Sequence, residues 1–118
     1  MLSNQELRTL LTDTESDRAE RTISTKNTDK FSEAICAFSN DFPNHKQPGY
    51  LIIGADDKTG AIAGMSVTDE LLKDLAAIRN NGQILPQPAL TIQKFVFPEG
   101  ELAVVEVHPS PFPPVRYK

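Results

Sequence analysis

The chain lacks tryptophan altogether and holds one cysteine, two histidines and two methionines in 118 residues. A single thiol, Cys36, excludes an intramolecular disulfide and a Cys-rich zinc site, and fits a reducing compartment. His45 and His108 are too few and too far apart in sequence to form a metal motif. No apolar run approaches the roughly 18 residues that a membrane-spanning helix needs. The opening Met1-Leu2-Ser3-Asn4-Gln5-Glu6 has neither the basic flank nor the apolar stretch of a signal peptide, so a cytoplasmic location without membrane contact is expected. No Gly-x-x-x-x-Gly-Lys-Ser/Thr is present and no Gly-x-Gly-x-x-Gly opens a helix, which removes the nucleotide-cradling loops. No serine or cysteine stands in a recognisable nucleophile context.

What remains is ordinary globular composition, 39% hydrophobic and 24% charged, at a length that suits one domain with one core over residues 1–118. The net charge of -4 argues against a surface built to bind polyanions everywhere. The distribution is uneven, however. Arg18, Arg21, Lys26 and Lys30 cluster before the middle of the chain, while the stretch from Asp56 to Asp74 is mostly acidic. A local basic patch on an acidic domain is the pattern to test.

Periodicity supplies the elements. Ser3 and Glu6 form a capping box, Leu2 and Leu7 a hydrophobic staple, and Leu7, Leu10 and Leu11 an apolar stripe, so a short helix opens the chain. Arg18 to Ser24 reads as a strand with Ala19, Arg21 and Ile23 on one face and Arg18, Glu20 and Thr22 on the other. A helix capped at Asn27 or Thr28 follows, with Phe31, Ala34, Ile35 and Phe38 at helical spacing, ending near Asn40 to Asp41 before Pro43. Tyr50 to Ala55 is apolar without alternation, the mark of a strand covered on both faces.

Asp57-Lys58-Thr59-Gly60 reads as a turn, and Ala61 to Val67 as the hairpin partner of that strand. Thr68 caps a third helix carrying Leu71, Leu75 and Ile78, with Gly82 just past its end. Gln83 to Pro88 is an extended connector. Ala89 to Phe97 and Glu101 to Val107 are strands around Pro98-Glu99-Gly100. The proline-rich segment 109–114 is extended, and Val115 to Lys118 starts another strand. The expected fold is α+β, a mostly antiparallel sheet with about three helices packed on it.

The candidate chemistry is carboxylate and cation. Glu15, Glu20 and Asp56, if they converge, offer oxygen ligands for a divalent cation. As isolated residues they are a turn aspartate and two solvated glutamates. Arg18, Arg21, Lys26 and Lys30 suit phosphate contacts, or else mix with Asp17, Glu20 and Asp29 on a solvated surface. Asn40 reads as a helix C-cap. Cys36 reads as a buried, inert thiol. Phe42, Phe95, Phe97 and Phe112 are core residues before they are stacking platforms.

Taken together, Glu15-Ser16, Glu20, the run Ala37-Phe38-Ser39-Asn40 and the run Pro48-Gly49-Tyr50-Leu51-Ile52-Ile53-Gly54-Ala55-Asp56-Asp57 resemble the Schlafen AlbA-type DNA-binding domain, from about Glu15 to Lys118. The resemblance implies nucleic-acid binding by an N-terminal module of a longer bacterial transcriptional regulator, with no cofactor and with Asn40 near the site. It also implies an alternative, because in some Schlafen relatives an equivalent acidic trio resembles a metal-dependent ribonuclease site. Glu15, Glu20 and Asp56 match those positions, and Mg²⁺ or Mn²⁺ would then be required. Two departures stand out. Arg21-Thr22 replaces an aromatic residue and a lysine, and Asp41 to Pro48 precede a single Gly49 where many members carry a Gly-Gly pair. A third reading is a protein-interaction or homo-oligomerisation module that uses an unclosed sheet edge near Val115.

Overall fold

Ser3 begins the first helix. Its hydroxyl accepts from the Glu6 N–H while the Glu6 carboxylate accepts from the Ser3 N–H, both at 3.1 Å. The structure, a computed structural model, describes residues 2–13, 18–41, 46–80, 82–85, 87–111 and 114–117. Glu15, Phe42, His45 and Phe112 lie outside the described residues. Among the described residues the order is α1 (Asn4–Thr12), β1 (Ala19–Thr22), α2 (Thr28–Asn40), β2 (Gly49–Ile53), α3 (Asp69–Asn80), β3 (Ile84–Leu85), β4 (Ala89–Phe97), β5 (Gly100–His108) and β6 (Arg116–Tyr117). This is the expected α+β class.

The main sheet runs β1-β2-β5-β4. It is mixed: β1 and β2 are parallel, whereas β2–β5 and β5–β4 are antiparallel. The parallel pair follows from α2, since two parallel strands need a crossover and a helix supplies it. β2 is buried along its whole length and feeds both faces of the sheet. Leu51 and Ile53 join Phe31, Ala34 and Ile35 of α2 and Leu71, Leu75 and Ile78 of α3. Tyr50 and Ile52 join Leu7 and Leu11 of α1. β5 alternates in the same way, with Ala103, Val105 and Val107 towards α2 and α3, and Leu102 and Val104 towards α1. Each fully buried Leu or Ile contributes roughly 2 kcal/mol through area removed from water.

Three expectations are corrected. Ala61 to Val67 is not a strand. β5 takes the place beside β2, with five register pairs from Gly49–Val107 to Ile53–Ala103. A long apolar strand outcompetes a short segment interrupted by Gly64, which is at φ 75. All that survives of the hairpin is a bridge between Ala55 and Ile62. Gln83 to Pro88 is more than a connector, because Ile84 is buried and Ile84–Leu85 pairs with β6. Near Val115 one side of the chain is likewise taken, because Arg116 and Tyr117 pair with β3.

Gly60 ties the turn after β2 to α1. Its φ is 75, and a Cβ there would collide with the Leu11 carbonyl, so only glycine lets the two backbones meet.

Candidate nucleic-acid interface

β1 distributes its charges by strand alternation. Register places Glu20 beside Leu51 and Thr22 beside Ile53, on the face of α2 and α3. Ala19 and Arg21 lie beside Tyr50 and Ile52, on the face of α1. Arg21 is therefore turned inward and is 5% exposed. Its Nη1 donates to the carbonyls of Leu10 and Asp13, each at 3.2 Å, while its Nε is buried without a partner among the described residues. α1 has no basic residue in its last turn. Arg21 supplies that charge from a neighbouring strand, capping orphan carbonyls at the negative end of the helix dipole.

Arg18 stands just before β1. Its Nε donates to the Pro48 carbonyl at 3.2 Å, and its guanidinium lies 5.9 Å from the centre of the Tyr50 ring. With Leu2, Glu6, Thr9, Leu10 and Tyr50 it lines a cavity of about 220 Å³. Burial pushes the Tyr50 hydroxyl up, and the nearby Glu106 carboxylate adds to this. Glu106 is itself buried, with one oxygen 3.3 Å from His108 Nε2.

Lys26 and Lys30 sit at the opposite end of β1. The four strand residues between them and Arg18 alone span about 13 Å. Lys26 is exposed and borders a cleft of about 340 Å³ that also holds Glu70 and Asp74. Lys30 occupies the first turn of α2, where its N–H is capped by Asn27 Oδ1 at 3.1 Å. The structure thus brings Lys26 and Lys30 to one end and Arg18 to the other, with Arg21 turned inward under α1.

Asn40 does more than end a helix. Its amide nitrogen donates to the carbonyls of Cys36 and Val115 at 3.1 and 3.0 Å, and its oxygen accepts from the Val115 N–H at 2.6 Å. The Cys36 thiol also donates to the Val115 carbonyl at 3.2 Å. Asn40 therefore reads the backbone of the chain entering β6, which is the strand ladder's own pattern made by a side chain. The helix C-cap is the following residue, Asp41, at φ 47. Burial pushes the Cys36 thiol up, as suits an unreactive group.

Of the acidic trio, Glu15 lies outside the described residues. Asp56 follows β2 beyond Gly54, and its Oδ1 accepts from the N–H groups of Lys58 and Thr59 at 2.8 and 2.9 Å. Those backbone bonds, Thr59 first, hold its carboxyl below the usual range. Glu20 is level with Leu51, five residues before Asp56 along the neighbouring strand. Among the described residues no group of three or more His, Cys, Asp or Glu gathers to hold a metal ion. No helix among them is long and apolar enough to cross a membrane.

The Schlafen AlbA_2 family matches residues 14–118, and the chain belongs to that family. The fold is shared with the N-terminal domain of a DNA helicase RecG-related protein from Nitrosomonas europaea, solved in solution by NMR. The two are 23% identical with a TM-score of 0.65, over 92% of this chain and 74% of that one. No curated protein matches the chain.

The inward roles of Arg21 and Asn40 were not visible in the sequence. The one local signal is negative: α1 ends without a basic residue, so its carbonyls need a donor from elsewhere.

Proposed function

We propose that this chain is a nucleic-acid-binding module, the N-terminal part of a cytoplasmic bacterial transcriptional regulator. The observation that carries the reading is membership of the Schlafen AlbA_2 family over nearly the whole chain. The helicase-related name of the structural relative is in keeping with it. Lys26 and Lys30 are the phosphate contacts of first choice, with Arg18 as a separate contact at the far end of β1. Arg21 acts behind them by fixing α1, and Asn40 by fixing the chain into β6. Each phosphate contact steepens the log-log salt dependence of binding by nearly one unit. Affinity for duplex DNA and for RNA across a salt series tests this. Lys26→Gln and Lys30→Gln should each flatten the slope by about one unit, and a flat, millimolar response of the unaltered chain to both polymers would sink the reading.

A second reading, a metal-dependent endoribonuclease using Glu15, Glu20 and Asp56, is favoured by one observation. Glu20 and the approach to Asp56 lie on adjacent parallel strands, and Asp56 is held ionised by backbone N–H groups. Cleavage of single-stranded RNA with Mn²⁺, compared between the unaltered chain and Glu20→Ala, separates the two readings. Equal cleavage by both proteins removes the second.

A further inference from the structure

Among the described residues the main sheet stops at β4, and no backbone bond reaches that strand from its outer side. The β4–β5 hairpin turns on Pro98 and Glu99, with Phe97 opposite Gly100, and its register continues without a bulge to Ala89 opposite His108. In a two-residue hairpin the pair flanking the turn exchanges both backbone bonds, and bonded pairs then alternate along the strands. Phe97, Phe95, Gln93 and Thr91 therefore bond to β5. Val96, Lys94, Ile92 and Leu90 direct their N–H and C=O groups outward. This is an open edge about 30 Å long, and such a row of unpaired N–H and C=O groups is a template for pairing unless it is blunted or covered.

Two further features sit on that edge. Val96 is 66% exposed, more than the other exposed large hydrophobics, Ile23 and Leu85. Gln93 Oε1 is buried and has no hydrogen-bond partner among the described residues. A buried amide oxygen without a donor is destabilising.

We propose that β4 pairs antiparallel with β4 of a second copy of this chain, on a two-fold axis through Gln93. This register overlaps all nine strand residues. The outward residues then form the bonded pairs, Leu90 with Val96 and Ile92 with Lys94, each occurring twice. Gln93 faces its own copy in a non-bonded pair, where side chains stand closest. Rotation about the soft terminal torsion of each Gln93 lets the two amides exchange hydrogen bonds and satisfy the orphan oxygen. Exposed Val96 is covered by Leu90 of the second copy.

Competing registers are poorer. Centring on Ile92 shortens the overlap and brings in Pro88, which has no N–H. Centring on Lys94 sets like charges opposite each other. In the favoured register each Lys94 keeps its own Glu101, 3.6 Å away.

The joined sheet runs from β1 of one copy to β1 of the other. Seven strand spacings put those edges about 34 Å apart before twist, close to one turn of duplex DNA. This last consequence, two equal contacts on one duplex, rests on the nucleic-acid reading; the dimer itself does not.

The test is sedimentation equilibrium of the chain without nucleic acid, from about 1 to about 300 µM, a range that brackets a micromolar dimer. The unaltered chain should dimerise. Gln93→Glu, which sets two carboxylates on the axis, and Val96→Lys, a surface change, should each weaken the dimer at least about tenfold while far-UV circular dichroism stays unchanged. Leu85→Lys, at an exposed position of β3, should leave it intact. A monomer throughout the range overturns the proposal. So does a dimer that survives both β4 variants, or one that Leu85→Lys abolishes.

Discussion

The two faces of the main sheet are closed by different means. Towards α2 and α3 the contact is almost wholly apolar, from Phe31 and Ile35 through Leu51 and Ile53 to Val105 and Val107. Towards α1 a single short helix meets the sheet, and polar contacts supplement Leu7 and Leu11. Arg21 caps its last carbonyls, Gly60 lets a turn abut Leu11, and Arg8 reaches Glu99 in a two-bonded pair at 2.7 and 3.0 Å above the Phe97 ring. An arginine on an exposed-looking edge strand can thus serve the interior when the helix above it lacks a C-terminal cation.

Arg21→Ala should loosen the α1 face most. Losing a charged donor to two carbonyls, and leaving a cavity, should cost about 3 kcal/mol. Urea denaturation reads the loss, and hydrogen exchange should show α1 opening while α2 and α3 stay protected. Equal deprotection of all three helices would mean that Arg21 supports the whole core rather than one face.

Gly60→Ala comes next, at about 2 kcal/mol, because it combines a positive φ with a collision against Leu11. Its effect should again fall first on α1 amides. On the opposite face, Asn40→Ala should cost about 1.5 kcal/mol through the bonds to Val115. Faster exchange confined to β6 and its partner β3 is the expected signature; Asn40→Asp, which keeps the acceptor and loses the donor, should fall between.

The smallest effect is electrostatic and depends on pH. The Arg8 guanidinium lowers the Glu99 carboxyl from 4.5 to about 2. A depressed carboxylate contributes stability above its unfolded value, and that contribution fades as pH falls from 4.5 towards about 2. The pair is half-exposed, so salt and solvent keep it weak. The urea midpoints of the unaltered chain and of Arg8→Gln should differ slightly at neutral pH and converge as the medium is acidified through that window. A constant gap would place the role of Arg8 in its packing over Phe97 instead.

The helices were legible in the sequence because their signals are local. Ser3 and Glu6 lie within one turn, and Phe31, Ala34 and Ile35 repeat at helical spacing. The buried character of β2 was legible for the same reason, in an unbroken apolar run. Its neighbours were not. Ala61 to Val67 follows β2 closely and has the look of a hairpin arm, yet the longer, glycine-free apolar run of β5 wins the pairing from far along the chain. The candidate site was legible as residue types and a family pattern, but not as an arrangement. Alternation divided Ala19 to Thr22 correctly into two faces without saying which lies under α1, but it grouped Arg18 with Glu20, whereas Arg18 stands over Tyr50 on the α1 side.

The helix starts, the apolar stripes, the β4–β5 hairpin and the family pattern are written in the sequence, because all of them depend on residues near one another in the chain. That Arg21 points inward, that Asn40 holds Val115, and that Arg18 stands over Tyr50 apart from Lys26 and Lys30 emerges only in the folded chain. Those outcomes depend on which strand sits beside which, and strand order is set by burial competed for across the whole chain.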